Sequence, residues 1–447
     1  MLLIGLDCAE PTLVFERYRD VMPNLGALME RGIWGPLRST VPPITVPAWT
    51  SMVTGRDPGE LGLYGFRKRI AQSYELEVVT SGDVHVPRLW DFLGNAGKRV
   101  SVLFVPPTWP PMAVNGEMVS CFLTPSLEVQ WTYPSELAAE LTQAFGPYRI
   151  DVDDFRSHDL KRILDDVIAM TTHRFDVAKH MWKSRRPDFM MVVDMGIDRF
   201  HHAFFAHIDR PGSPYRDAGV KYYQFVDRKV GELLEGIDEG TIVIVASDHG
   251  AKPLLGGVCI NDWLVQHGWL SLKAKPVGIT PLSLDMIDWS KTRAWAEGGY
   301  YARVCLNIAG REPEGVVLAS ERDRERERLS NALEAMLLPD GRERSNRVIW
   351  PERTYRETRG SPPDLCVFFG DLDYRAIGSV GHDEVFTDSN DTGPDGCNHS
   401  WNGIFIMAGP GVVHQGRVDD LQIYDVAPTV LTRMGLPIPP GLLGTVR

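Results

Sequence analysis

Short apolar segments alternate with longer amphipathic segments through much of the chain. Continuous apolar runs occur at residues 2–6, 100–105, 189–193 and 241–246. Such runs are typical of strands that are buried on both faces, as in a parallel sheet with helices on each side. Helical periodicity at residues 160–183, between two of these runs, supports this interpretation. The pattern predicts an α/β, doubly wound, mostly parallel sheet flanked by helices, with its active site at the carboxyl ends of the strands.

The alternation breaks after about residue 265. Predicted strands at 301–308 and 365–369 lie outside it, and residues 321–338 form a charged amphipathic pattern typical of a solvated helix. The core pattern returns with a strand at 403–407 and a helix at 424–434. We therefore expect an α/β core from residues 1–265 and 376–447, with residues 266–375 forming an inserted cap subdomain.

Composition narrows the class of partner. The 447 residues carry a net charge of −12 with a pI near 5.5, and 43% of them are hydrophobic. An acidic chain argues against a nucleic-acid polymer as the main partner, because phosphate backbones require clustered Lys and Arg.

The sequence contains no apolar run near the ~18 residues that a transmembrane helix needs and no recognisable secretion signal. Six dispersed cysteines without a CxxC pair indicate reduced thiols, and we expect a cytoplasmic protein.

Acidic and imidazole side chains follow three of the predicted strands. Asp7 comes directly after the first strand, and Asp248 and His249 follow the strand at 241–246. Asp198 and His202 are spaced i, i+4 in a helix that follows the strand at 189–193, which places them on one helix face. Each residue taken alone is also compatible with a helix cap, a polar turn or a surface hydrogen bond. Together they predict ligands at one edge of the sheet.

This residue set can hold two divalent metals. Asp7, Asp248 and His249 with a hydroxyl form one predicted site. Asp198 and His202 form most of a second predicted site, which still lacks one ligand. His399, in a loop before the strand at 403–407, can supply that ligand. Nitrogen and oxygen ligands without sulfur suit Zn²⁺, with Mn²⁺, Fe or Co²⁺ as alternatives.

Thr45 is the predicted nucleophile. The proline-rich segment that contains it leads into a helix, and prolines fix the backbone of a turn there. Metal coordination lowers the pKa of a hydroxyl and activates it for attack on phosphorus. Thr40, Thr50 and Ser51 are rival candidates, and an ordinary turn or helix cap is the alternative reading.

With these residues in place, the chain resembles the alkaline phosphatase superfamily, in its type I phosphodiesterase/nucleotide pyrophosphatase branch. It is most similar there to bacterial and archaeal proteins described as phosphohydrolases or phosphomutases. The resemblance covers nearly the whole chain and includes further motifs: Gly116-Glu117-Met118-Val119, Thr124-Pro125-Ser126, Asn261-Asp262-Trp263-Leu264, the segment 306–315 and the segment from 425 to 437.

The resemblance implies roles for the same residues. Thr45 matches the family's transiently phosphorylated nucleophile. Asp7, Asp248 and His249 match the ligands of the metal that activates it, and the ligands of the second metal correspond to Asp198, His202 and His399. In one respect the chain departs from the pattern, because no Asn follows Thr45 in its helix to hold a phosphoryl oxygen. Nucleotide pyrophosphatase specificity is therefore less strongly implied than the chemistry.

Three cations are candidate substrate-binding residues. Arg67 and Lys68 follow the nucleophile helix, and Lys252 follows His249 closely. They can bind a phosphate or carboxylate of a small phosphate-ester substrate, and a solvated loop is the alternative for the first two.

The preferred hypothesis is a metal-dependent phosphodiesterase or phosphohydrolase. A phosphomutase on the same scaffold would use the same residues, and a cap that excludes water would favour it. Sulfuryl or phosphonate hydrolysis is a further variant, although a threonine nucleophile argues against a sulfatase. A non-catalytic phosphate-ligand-binding protein would be expected to lose ligands, and the predicted set is complete. The substrate, the pathway and the oligomeric state are not encoded in any motif found.

Overall fold

The computed structural model describes residues 1–339, 346–412 and 416–447. Its helices are α1 (Pro23–Glu30), α2 (Thr45–Thr54), α3 (Pro58–Leu61), α4 (Leu89–Asn95), α5 (Leu137–Phe145), α6 (Leu160–Arg185), α7 (Gly196–Phe204), α8 (Ala218–Leu234), α9 (Ile260–Gln266), α10 (Arg322–Glu334), α11 (Pro351–Thr354) and α12 (Val426–Arg433). No helix among the described residues combines the length and the apolar character needed to cross a membrane.

The strands are mostly short. The first eleven are β1 (Leu2–Leu6), β2 (Gly32–Arg38), β3 (Arg67–Arg69), β4 (Leu76–Val78), β5 (Val100–Leu103), β6 (Gly116–Val119), β7 (Thr132–Tyr133), β8 (Phe189–Asp194), β9 (Val243–Ala246), β10 (Gly250–Pro253) and β11 (Gly256–Cys259). The remainder are β12 (Ala294–Glu297), β13 (Ala302–Leu306), β14 (Arg347–Ile349), β15 (Leu365–Phe368), β16 (Tyr374–Ile377), β17 (Phe386–Thr387), β18 (Cys397–Ser400), β19 (Asn402–Ala408), β20 (Gly416–Arg417) and β21 (Leu421–Gln422).

The chain divides into two compact units. Unit 1 comprises Met1–Leu61, Val79–Ala251 and His399–Arg447, and unit 2 comprises Gly62–Val78 and Lys252–Asn398.

Unit 1 is built on a ten-stranded sheet in the order β20-β2-β19-β9-β1-β8-β5-β6-β7, with β21 also paired to β2. Strands β9, β1, β8, β5 and β6 are mutually parallel, whereas β19 runs antiparallel to both β2 and β9. Every residue of β1, β5, β8 and β9 is buried, so both faces of the central sheet are covered. The α/β fold with a mostly parallel sheet flanked by helices, predicted from the apolar runs, is confirmed.

The long helix α6 shows why the helical segments form where they do. The Asp159 side chain caps its first turn by accepting from the Arg162 backbone N–H, and Lys183 and Arg185 lie in its last turn. Both features stabilise the helix ends, by satisfying a free N–H and by placing positive charge at the carboxyl end. The predicted segment 160–183 begins at the same residue as the observed helix and ends two residues before it does.

Unit 2 contains a four-stranded antiparallel sheet, β12-β13-β15-β14, and a three-stranded sheet, β16-β11-β17. In the second sheet β11 runs parallel to β16 and antiparallel to β17. The β3–β4 hairpin belongs to this unit, and Tyr74 between its strands stacks on Trp289 with ring centroids 3.5 Å apart. Unit 2 thus includes residues 62–78, 252–265 and 376–398 in addition to the predicted insertion 266–375. The parallel pairing of β11 with β16 explains the wider extent, because it joins segments on either side of that insertion.

Candidate metal centre

Three adjacent parallel strands end beside one another in unit 1. β1 lies between β8 and β9, with Leu6 opposite Asp194 and Gly5 opposite Ala246. Since parallel strands present their carboxyl ends at one edge, the residues that follow them converge there. Asp7 follows β1, Asp248 follows β9, and Asp198 lies in the first turn of α7 after β8. All three carboxylates are buried.

The histidines reach the same edge by different routes. His202 lies one turn after Asp198 on α7, and its Nε2 is 3.4 Å from Asp198 Oδ1. His399 lies on the short strand β18, where the sequence predicted a loop. Its Cys397-Asn398-His399-Ser400 sequence has none of the apolar alternation that would have predicted a strand.

The ligand atoms form two overlapping groups. Those of Asp198, His202 and His399 all lie within 4.8 Å of one another, and the same holds for Asp7, Asp198 and His249. Asp198 belongs to both groups. The structure thus brings together Asp198, His202 and His399, the three ligands predicted for one metal. It also places Asp198 beside Asp7 and His249, which are two of the ligands predicted for the other metal.

Asp248 and Thr45 join the second group through His249. Asp248 Oδ2 lies 3.2 Å from His249 Nε2, and Thr45 Oγ1 lies 3.3 Å from the same nitrogen. Thr45 is the first residue of α2 and is buried, and Ile44 before it is extended. The predicted nucleophile and all six predicted ligands therefore lie in one cluster. The rivals Thr50 and Thr40 bond to the backbone carbonyls of Val46 and Pro42 instead.

Backbone carbonyls orient two of the imidazoles. His399 Nδ1 is 2.9 Å from the Pro43 oxygen, and His249 Nδ1 is 3.1 Å from the Gly250 oxygen. A carbonyl oxygen can only accept, so each Nδ1 carries the proton and each Nε2 presents a lone pair. This is the arrangement that metal-binding histidines usually have.

Those lone pairs point at carboxylate oxygens. His249 Nε2 lies 3.7 Å from Asp7 Oδ1 and 3.2 Å from Asp248 Oδ2, and His399 Nε2 lies 3.7 Å from Asp198 Oδ1. Neither Asp7 Oδ1 nor Asp248 Oδ2 accepts a hydrogen bond from any residue that the structure describes. Buried acceptors that face one another without a donor are unfavourable unless a cation lies between them. The residues present therefore fit divalent metals with oxygen and nitrogen ligands.

The pKa values reflect the crowding of charge. Burial, and then the charge of Asp198, raises the pKa of Asp7 well above its usual value. Burial and the neighbouring Asp7 and Asp198 do the same to Asp248. For Asp198 burial acts in that direction too, but interactions with His202 and Arg199 outweigh it and hold its pKa well below normal.

The imidazoles titrate below their usual range. Burial lowers the pKa of His249 to about 4, and burial together with the nearby His249 holds that of His399 well below 6.5. Both rings are therefore neutral at physiological pH, as metal ligation requires.

Two residues that hold the carboxylates were not predicted. Trp49 Nε1 donates to Asp7 Oδ2 at 2.7 Å. Arg199 donates to Asp198 Oδ2 and, through its other nitrogens, to both oxygens of Asp151. The sequence carried a weak signal for each, because Trp49 is one helical turn after Thr45 and Arg199 is next to Asp198. Gly5 makes room for the indole, since a Cβ there would lie 2.5 Å from a ring carbon of Trp49.

His201, the neighbour of His202, faces a different set of groups. Its Nδ1 lies 3.6 Å from Cys8 Sγ, and its Nε2 lies 3.1 Å from the Tyr223 hydroxyl. The i+4 spacing from Asp198 therefore distinguishes His202 from His201, as the helix geometry predicts.

The three predicted substrate-binding cations belong to unit 2. Lys68 pairs with Glu77 at 2.8 Å, and Lys252 pairs with Asp373 at 2.7 Å while also donating to the Asp371 carbonyl. The Arg67 side chain is exposed. A substrate that used either lysine would have to compete with these ion pairs.

Comparison with known proteins places this geometry in a family. Residues 1–398 match the profile of a family described as type I phosphodiesterase/nucleotide pyrophosphatase. No curated protein matches the chain.

Solved structures share the fold. Phosphonoacetate hydrolase from Sinorhizobium meliloti, in complex with phosphonoformate, is 17% identical with a TM-score of 0.64, over 97% of this chain and 95% of that one. Human ectonucleotide pyrophosphatase/phosphodiesterase 5 is 12% identical with a TM-score of 0.58, over 100% of this chain and 97% of that one. An inactive form of the murine protein in complex with AMP is 13% identical with a TM-score of 0.57, over 98% and 96%. This chain belongs to the type I phosphodiesterase/nucleotide pyrophosphatase family.

Proposed function

We propose that the chain is a two-metal phosphohydrolase, most specifically a phosphodiesterase or nucleotide pyrophosphatase, that acts through a phosphothreonine intermediate on Thr45. Family membership indicates a phosphoester hydrolase. One observation carries the finer assignment. Asp7 Oδ1 and Asp248 Oδ2 are buried without a donor among the described residues and face His249 Nε2, and the hydroxyl of Thr45 lies 3.3 Å from that nitrogen.

Seven side chains would hold two divalent metals, for which Zn²⁺ is the preferred candidate and Mn²⁺ an alternative. Asp7, Asp248, His249 and Thr45 would hold one, and Asp198, His202 and His399 the other, with Asp198 close enough to both groups to contribute to each. When bound, such metals neutralise the phosphate charge, lower the pKa of a coordinated hydroxyl and stabilise the attacking and leaving oxygens.

Thr45 performs the first transfer. Its hydroxyl loses a proton, Oγ1 forms a bond to phosphorus, and the bond from phosphorus to the leaving oxygen breaks in line with the attack. The leaving oxygen takes up a proton. In the second transfer a water molecule loses a proton and its oxygen attacks phosphorus from the opposite side. The phosphorus–Oγ1 bond breaks, and Oγ1 takes up a proton to restore Thr45. Two inversions give net retention at phosphorus.

The position of Thr45 suits this role. As the first residue of α2 it has a backbone N–H at the end of the helix that favours negative charge, where transferred phosphoryl oxygens are stabilised. This N–H would act in place of the Asn that the family pattern has after the nucleophile.

An assay on metal-reconstituted protein tests the proposal. The substrates are bis-p-nitrophenyl phosphate, p-nitrophenyl phosphate and thymidine 5′-p-nitrophenyl phosphate. We expect EDTA-sensitive turnover with a preference for the diesters, and acid-quenched protein carrying one phosphoryl group on Thr45. Two bound equivalents of metal with no turnover of any of the three would contradict the diesterase assignment and favour a phosphomutase or a phosphate-ligand-binding protein. Phosphonoacetate belongs in the same series, because a hydrolase of that compound shares the fold.

Three finer expectations accompany the proposal. Binding of the substrate by Arg67, Lys68 or Lys252, a cap role for residues 266–375 and a cytoplasmic location all stay predictions. Alanine variants scored for KM test the first, deletion of the segment the second and imaging of a tagged chain the third.

A further inference from the structure

A second cluster of metal-ligand side chains lies within unit 2. One ligand atom each from Cys259, Asp262 and His382 lie within 4.8 Å of one another. Cys259 is a buried free thiol, and the side chain of Asp262 is also largely buried. None of the three residues takes part in the proposed phosphoryl-transfer chemistry.

The topology of the small sheet explains their convergence. Cys259 is the last residue of β11 and lies opposite Ile377, the last residue of the parallel strand β16. The two strands therefore end at the same edge, as the catalytic strands of unit 1 do. Asp262 follows on α9, and His382 lies in the segment after β16.

Hydrogen bonds hold two of the side chains in place. Asp262 accepts from the Gly381 N–H at 2.9 Å and, through its other oxygen, from the His382 N–H at 3.3 Å. His382 Nε2 is 2.9 Å from the Ser379 hydroxyl. Bonds of this kind orient a carboxylate and an imidazole before a metal arrives, and each carboxylate oxygen retains a lone pair.

The cluster is reachable from solvent. Asp262 and His382 form part of the wall of an open cleft of about 660 Å³, which is lined entirely by unit 2. A cation can therefore enter from the cleft, and a water molecule can complete its coordination from the same side.

The surroundings of the thiol are negative. Burial, followed by the charges of Asp262 and Asp391, raises the pKa of Cys259. Asp391 is fixed by the Gly378 and Ser379 N–H groups, which also lie in the segment after β16. Two carboxylates beside one buried thiol form a site where a divalent cation is electrostatically favoured.

We propose that Cys259, Asp262 and His382 bind one divalent transition metal of the Zn²⁺ type, separate from the two metals of the phosphoryl-transfer cluster. The metal displaces the thiol proton, which is released to solvent, and no electron transfer is involved. One sulfur, one nitrogen and one oxygen ligand suit Zn²⁺, whose fourth position remains open to the cleft. The ion would join the end of β11 to the segment after β16 and so fix that edge of unit 2.

Cobalt substitution provides a direct test. The protein is stripped with chelator and titrated with Co²⁺, and the near-ultraviolet absorption of a Co²⁺–thiolate bond is recorded. The proposed phosphoryl-transfer ligands are oxygen and nitrogen only, and the titrations use a Cys397→Ser background because Cys397 belongs to another group of candidate ligands. We expect the band in the wild type and its loss in Cys259→Ser. Cys305→Ser is the matched control, because Cys305 is a buried thiol of the same unit that belongs to no ligand group among the described residues. Absence of the band from the wild type, or its persistence in Cys259→Ser, would overturn the proposal.

A second variant keeps the test valid if Cys259→Ser fails to fold. His382 is only partly buried, so His382→Asn should fold while reducing the affinity for Co²⁺ at least tenfold. Crystals of the full chain grown with Zn²⁺ should show an anomalous peak among the three side chains, in addition to those of the catalytic cluster. A peak at the catalytic cluster alone would refute the third site. His399→Ala should retain the thiolate band, which separates this proposal from the proposed function.

Discussion

The two ligand clusters differ in how their polar atoms are satisfied before any metal binds. In unit 1, Asp7 Oδ1 and Asp248 Oδ2 are buried without a donor among the described residues and face the lone pair of His249. In unit 2, both oxygens of Asp262 already accept backbone hydrogen bonds, and the cluster opens to a cleft. The first cluster is costly when empty, whereas the second tolerates the empty state. Metal is thus expected to be an integral part of unit 1 and an exchangeable addition to unit 2.

The largest expected effect separates the nucleophile from the ligands. Thr45→Ala should lower turnover by more than about 1,000-fold while metal content falls little, because the Thr45 hydroxyl lies 3.3 Å from His249 Nε2 whereas that of Thr50 bonds to the Val46 carbonyl. Thr45→Ser retains a hydroxyl and should keep measurable activity. Turnover and metal content by mass spectrometry check both, and normal turnover by the alanine variant would remove Thr45 from the mechanism.

A pair of histidine variants tests whether only the cluster of unit 1 is needed for turnover. His399→Ala removes a ligand whose orientation is fixed by Pro43, and should lose one metal equivalent and at least about 100-fold in turnover. His382→Asn should leave turnover within about twofold while weakening metal binding in unit 2 at least tenfold. His201→Asn is a further control on α7, since its ring contacts Cys8 and Tyr223. Equal loss of turnover in His382→Asn and His399→Ala would contradict separate roles for the two clusters.

The hydrogen bond from Trp49 to Asp7 offers a smaller perturbation. Trp49→Phe keeps most of the apolar packing but removes the donor at 2.7 Å from a buried carboxylate. A hydrogen bond to a charged group contributes roughly 1.5–3 kcal/mol, so we expect metal affinity and turnover to fall by about ten- to a hundredfold. Isothermal titration of Zn²⁺ measures the first quantity. An unchanged affinity would mean that Asp7 is oriented by other contacts.

The smallest expected effect concerns stability without metal. In EDTA-treated protein, Asp248→Asn removes one of three crowded buried carboxylates and should raise the melting temperature of unit 1, although the same change weakens metal binding. Each pKa unit of relieved repulsion corresponds to ~1.4 kcal/mol. The sign follows from the direction of the shift: a carboxyl whose pKa is raised on folding destabilises the folded chain as pH rises, so the gain should grow from acid to neutral pH. Thermal melts across that range measure it, and a lower melting temperature for the metal-free variant would contradict it.

Sequence patterns were sufficient where one local signal determines the structure. The first strand was predicted at its observed bounds, because five consecutive apolar residues at residues 2–6 have no competing interpretation. In contrast, β2 was not predicted, since Gly35 and Pro36 normally disfavour a strand. The structure requires the glycine, because a Cβ at residue 35 would lie 1.8 Å from the Val418 oxygen.

The same distinction applies to the sites. Asp7, Asp198 and Asp248 were identifiable because each follows a recognisable strand. From the sequence, Cys259 is one of six dispersed reduced thiols. Its proposed partner His382 is far away in sequence, and the parallel pairing of β11 with β16 brings the two together.

The proposed metal ligands are spread along most of the chain, and this determines when during synthesis the metal sites can be completed. The first ligand is residue 7 and the last is residue 399, which is followed at once by β19, the strand between β2 and β9. Before the ribosome has released this segment, the central sheet has a gap, and the group of Asp198, His202 and His399 lacks one proposed ligand. A chain that stops before residue 399 therefore carries an open sheet edge and can complete only one of the two proposed metal sites.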